Sequence, residues 1–125
     1  MTKRILIVDN EESILAAVKR YFTRRGYTVD CARELEEAEA LATYIEYDVA
    51  ILDLSLRDHC GREGLEILRF VRQSRPHTRT ILLTAHGTPM LEREAFRRGC
   101  DVFLHKPKPL GELAKIAEEL TEKCA

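Results

Sequence analysis

An α/β fold, a parallel sheet wrapped by helices, is predicted by three features of this sequence. Short β-rich runs alternate five times with longer segments of helical period. The first of those runs is almost wholly apolar until it meets an acid, and the third again runs apolar into a carboxylate, as expected of strands covered on both faces. No repeat, low-complexity tract or linker interrupts the alternation, so residues 1–125 read as one domain. A chain of that length can bury a core without disulfides or a metal to staple it.

The first strand is Arg4-Ile5-Leu6-Ile7-Val8-Asp9, an apolar, β-branched run that ends on an acid. Ile14, Leu15, Val18 and Phe22 then recur at helical spacing, and Gly26 suits the stop of that helix. Thr28 to Ala32 forms a second strand, and Leu35, Ala38, Leu41 and Ala42 mark a second helix rich in glutamate and alanine. The third strand, Asp48 to Asp53, again runs apolar into a carboxylate, and a polar loop extends to about Gly64. Leu65, Leu68 and Val71 define a third helix ending near Arg75-Pro76, and Thr80 to Thr84 a fourth strand that finishes in a hydroxyl. Met90, Leu91, Ala95 and Phe96 give a shorter fourth helix closed by Gly99. Asp101 to Leu104 is the fifth strand, followed by Lys106-Pro107 and a fifth helix carrying Leu113, Ile116, Ala117 and Leu120.

Composition narrows the function. Twenty basic and twenty-one acidic residues give a net charge of −1, so no global field draws the chain to nucleic acid or to an anionic membrane. The apolar runs are far shorter than a spanning helix and the N-terminus lacks a signal-peptide pattern, which predicts a cytoplasmic protein. Cys31, Cys60, Cys100 and Cys124 form no CxxC pair and no metal-ligand spacing with the histidines, and read as free thiols. His59 and Cys60 are neighbours, but without a matching second pair they make a weak metal or redox site.

In an open parallel sheet, ligands bind outside the carboxyl ends of the strands. Here those ends carry Asp9, Asp53, Thr84 and Lys106. Carboxylates bind a hard divalent cation, a hydroxyl can bond a phosphoryl oxygen, and an ammonium supplies mobile positive charge. Together they describe phosphoryl transfer to a carboxylate.

With an acid after the first strand, an aspartate after the third, Thr-Ala after the fourth and Lys-Pro after the fifth, the chain resembles the receiver domains of two-component response regulators over nearly its whole length. The resemblance implies a flavodoxin-like, doubly wound sheet of five parallel strands in the order 2-1-3-4-5 with five helices. It implies Asp53 as phosphoacceptor, magnesium as the metal, and Asp9, Asn10, Asp53 and the backbone carbonyl of Ser55 as its ligands. Lys106 would hold the phosphoryl oxygens, with a cis peptide bond to Pro107. Thr84 and Phe103 would form the switch: the hydroxyl is drawn inward by the phosphoryl group, and Phe103 rotates from exposed to buried. A histidine kinase or histidine phosphotransfer protein would be the donor and a downstream effector the target, with homodimer formation on phosphorylation. Such a domain catalyses only its own phosphorylation and dephosphorylation.

Three departures from the family pattern stand out. Asn10 replaces the second acid, which should weaken metal binding, while Glu11 is expected either to stabilise the positive end of the first helix or to reach the cation. Arg57 stands where proline is usual, and the loop from Arg57 to Glu63 is about three residues longer than usual. A phosphorylation-independent pseudo-receiver acting as an interaction module is the alternative these departures suggest. His86, two residues beyond Thr84, is read either as a residue that modulates water access or as a plain loop histidine. An aspartate-nucleophile phosphatase would want Asp-x-Asp where the chain has Asp53-Leu54-Ser55, and a flavin site would want a neutral phosphate loop where it has Asn10-Glu11-Glu12.

Overall fold

The computed structural model describes residues 2–54 and 62–122. Its elements alternate throughout: β1 (Arg4–Val8), α1 (Glu12–Arg24), β2 (Thr28–Ala32), α2 (Leu35–Tyr44), β3 (Val49–Asp53), α3 (Arg62–Ser74), β4 (Arg79–Thr84), α4 (Pro89–Arg97), β5 (Val102–His105) and α5 (Leu110–Glu122). All five strands run parallel in the order β2-β1-β3-β4-β5. This is the expected fold class and order. The boundaries differ by a residue or two: β1 stops at Val8, β3 starts at Val49, β5 runs from Val102 to His105, and α3 begins at Arg62, before Gly64.

Strand parity divides the core in two. Leu6, Val8, Ala50, Leu52, Leu82 and Phe103 face α2, α3 and α4. Ile5, Ile7, Val49, Ile51 and Ile81 face the other way, against Leu15, Val18 and Phe22 of α1 and Leu113, Ala114 and Ala117 of α5. With helices on both sides, β3 is buried at every position from Val49 to Asp53.

Gly26 and Gly99 stop α1 and α4 as the sequence predicts. Both adopt positive φ, 95° and 99°, which costs glycine no Cβ clash. Gly26 N–H bonds the Thr23 carbonyl and Tyr27 N–H the Phe22 carbonyl, the paired bonds of a Schellman cap. Gly99 and Cys100 repeat the arrangement on the carbonyls of Phe96 and Ala95. Thr88 starts α4 by accepting a hydrogen bond from Leu91 N–H ahead of Pro89 in the first turn.

Helix α2 has no side-chain cap of its own and no basic residue in its last turn. Helix α3 and the residue that follows it supply both. The Glu63 carboxylate accepts from Leu35 N–H at 3.1 Å, and the Arg75 guanidinium donates to the carbonyls of Ala42 and Thr43 at 3.0 and 3.1 Å. Each charge has the sign that its helix end favours.

Candidate functional site

The ladder continues one residue past two strands, where Asp9 N–H bonds the Ala32 carbonyl and Lys106 N–H the Thr84 carbonyl. By parity Asp9 follows Ile7, Asp53 follows Ile51 and Lys106 follows Leu104, so these three side chains emerge toward the α1 and α5 side of the sheet's edge. Lys106 Nζ lies 3.0 Å from Asp9 Oδ2 and 3.3 Å from Asp53 Oδ2. Both carboxylates are almost fully buried, at 3% and 4% exposure. The other Asp9 oxygen accepts from Glu11 N–H at 2.9 Å, which fixes the carboxylate at the mouth of α1.

Burial opposes the charge on Lys106, but the hydrogen bond to Asp9 and the attraction of both carboxylates outweigh it, and its pKa is raised. Two buried carboxylates sharing one ammonium still leave an excess of negative charge, which a divalent cation would balance. Magnesium needs only one or two carboxylates when waters and a phosphate complete its shell, so Asp9 and Asp53 suit it. No cluster of three or more His, Cys, Asp or Glu suited to a metal occurs among the described residues. Asn10 is exposed beside Asp9, and Ser55, His59 and Cys60 lie outside the described residues. Glu11 occupies the position just before α1 without a side-chain cap bond, and the acid in the first turn is Glu12, paired with Arg33.

Thr84 and Phe103 fall on the opposite parity. Thr84 follows Leu82 and is 1% exposed, with its hydroxyl accepting from His86 N–H at 3.1 Å. His86 therefore contributes a backbone amide to the site, a role its side-chain identity could not reveal. Phe103 already points inward, at 9% exposure, among Leu82, Ala95 and Cys100. The exposed orientation expected for it is not the one adopted here, because the ring is taken up in the buried cluster that α2, α3 and α4 form against the sheet. The Lys106-Pro107 bond is cis, as the resemblance implied.

The structure thus brings Asp9, Asp53 and Lys106 into one charged cluster, with Thr84 on the strand next to Asp53 and Phe103 one strand further out. Sequence reasoning missed Gly87 and His105, which meet beside Thr84. A doubly wound parallel sheet with a carboxylate-lysine cluster at its C-terminal edge defines a class of phosphoryl-transfer proteins. The comparisons make it specific. The family model described as the response regulator receiver domain matches residues 5–118, and the chain belongs to that family.

Among curated relatives, the transcriptional regulatory protein TrcR of Mycobacterium tuberculosis is 37% identical over 110 residues, 88% of this chain and 42% of TrcR. ResD of Bacillus subtilis, also a transcriptional regulatory protein, is 34% identical over 83% of this chain and 42% of ResD. The chain thus spans less than half the length of these relatives. A CheY-like receiver domain from Methanospirillum hungatei superposes with a TM-score of 0.93 at 27% identity, covering 99% of this chain and 97% of that one. The protein is therefore a receiver domain of the two-component response regulators. No helix among the described residues is long and apolar enough to cross a membrane.

Proposed function

We propose that Asp53 is the phosphoacceptor of this receiver and that its phosphorylation drives the switch through Thr84, the ring of Phe103 being inward already. The observation that carries this reading is the cluster itself: two buried carboxylates at the ends of neighbouring strands, one ammonium within 3.3 Å of both. An Asp53 carboxylate oxygen forms the new bond to phosphorus as the bond to the donor breaks, its electron pair leaving with the donor. The charge of the transferring group is spread over its three equatorial oxygens, and Lys106 is placed to follow them from its bridging position. Magnesium, held by Asp9, Asp53 and the amide oxygen of Asn10, would neutralise charge on donor and acceptor. Thr84 would trade its bond from His86 N–H for one to a phosphoryl oxygen.

A histidine kinase or histidine phosphotransfer protein serves as donor, and an effector protein or domain reads the switched surface. The unit acts as one cytoplasmic receiver domain over 1–125, with no enzymatic role beyond its own phosphorylation and dephosphorylation. Acetyl phosphate with magnesium should place one phosphoryl group on Asp53, and Asp53→Asn should abolish the label. Undiminished stoichiometric labelling of that variant at another residue would remove Asp53 as acceptor. Asn10→Asp should tighten magnesium binding at fixed ionic strength, by restoring a charge to the ligand set.

A further inference from the structure

The turn after β4 is held against the end of β5 by a contact that the phosphoryl-transfer chemistry does not use. A Cβ built on Gly87 would lie 2.7 Å from His105 Cε1, 3.0 Å from His105 Nδ1 and 2.9 Å from Thr84 Cγ2. A side chain at 87 would have to displace the imidazole or the threonine methyl, which occupy the slot above residue 87. His105 is two residues beyond Phe103 on the same strand face, and the rings meet edge to face at 5.6 Å and 75°. His105 is also the register partner of Thr84. One exposed ring therefore touches the turn and the inward Phe103, and shares the slot with the Thr84 methyl.

We propose that His105 is a positioning residue for the switch: its ring, braced on Phe103, fills the slot at Gly87 and holds the turn where His86 N–H can bond the Thr84 hydroxyl. The inference rests on the receiver reading above and adds a regulator to it. His105 is solvent-exposed at the sheet's edge, so packing of the core does not account for its placement. If Thr84 moves toward a phosphoryl group, its methyl leaves the slot and the His86 bond breaks; Phe103 is already inward, so the brace acts on Thr84 and its turn and favours their resting arrangement. A contact made in only one of two states shifts their populations by its differential energy. Removing the ring should shift the balance toward the switched state. A phenyl ring at 105 should restore the brace, because shape rather than ionisation carries it.

The test titrates beryllofluoride, in excess magnesium, into the wild type, His105→Ala and His105→Phe, following backbone amide signals. His105→Ala should bind about fivefold more tightly, at the low end of usual couplings between sites. Its Thr84 to Gly87 signals should also lie partway toward their switched positions before any probe is added, and His105→Phe should return both to wild-type values. Wild-type affinity in His105→Ala, or failure of His105→Phe to restore it, would overturn the brace. As an independent check, Gly87→Ala disturbs the same contact from the other side. Its effect on affinity combined with that of His105→Ala should fall short of the product of the two, and a full product would overturn the proposal. Labelling of wild-type Asp53 by acetyl phosphate, read by mass, separates the two readings. A labelled wild type with an inert His105 series overturns only the brace, whereas an unlabelled wild type overturns the phosphoacceptor reading and the brace with it.

Discussion

Helices α2 and α3 cover one part of a sheet face and are tied together by charged side chains that reach across, whereas α4, on the same face, pairs Glu94 with Arg97 and Arg98 along its own length. Helix α3 buries Leu65, Ile67, Leu68 and Val71, while Ala95 is the residue α4 buries. Met90 and Phe96 of α4 stand 75% and 47% exposed. Little apolar burial means little stabilisation against displacement, at roughly 25 cal/mol per Å². The difference teaches where this fold can move. Thr84, Phe103 and His105 all lie by parity toward the lightly anchored helix, and the charged cluster that would receive the phosphoryl group lies toward the other face.

The largest contrast should appear in core truncations. Leu68→Ala, at a fully buried position of α3, is expected to cost about 2–5 kcal/mol by urea denaturation. A cost under 1 kcal/mol would mean the α3 side is as yielding as α4. Lys106 lies toward the other face, and Lys106→Met should cost about 3 kcal/mol by leaving two buried carboxylates without their counter-charge. Because the folded pKa of Lys106 is raised, its contribution is complete below the ordinary lysine value near 10.4 and fades as pH rises through the folded one. The wild type should therefore lose stability relative to Lys106→Met only on the alkaline limb. A gap that instead closed between pH 6 and 9 would assign it to other groups.

Arg75→Ala should cost about 1–2 kcal/mol, since two carbonyls at the end of α2 lose a charged donor. Hydrogen exchange should quicken in the last turn of α2, and unchanged exchange there would show that the cross-helix tie is idle. Phe96→Ala is the smallest effect expected, within about 0.5 kcal/mol of wild type. A cost of several kcal/mol would erase the distinction between the two regions.

Those differences bear on what could be read in advance. The inner strands were legible because burial on both faces forces apolar, β-branched runs, the partly exposed β2 and β5 from their place in the alternation, and Asp9, Asp53, Thr84 and Lys106 because each interrupts or ends a strand at the sheet's ligand-binding edge. The helix stops at Gly26 and Gly99 were legible for a local reason, the need for positive φ. By contrast, Glu63 lies 28 residues from the amide it caps and Arg75 more than 30 from its carbonyls, so no local pattern announces either. Gly87 and His105 meet only because β4 and β5 pair in register, and a lone glycine or histidine in a loop carries no sign of that contact. The inward Phe103 was missed for a related reason: sequence names the ring but not the side chains of other elements that bury it.

A phosphoryl group on Asp53 should be felt on the α4 and β5 side and not on the α2 and α3 side. The direct measurement is a residue-by-residue map of backbone amide shifts on adding beryllofluoride with magnesium, compared with the same map for Asp53→Asn. The account predicts the largest shifts, beyond the immediate site, at Thr84, Gly87, Phe103 and along α4, with α2 and the buried stretch of α3 nearly still and no response in the variant. Shifts spread evenly over α2 and α3, or confined to the immediate neighbours of Asp53, would contradict it.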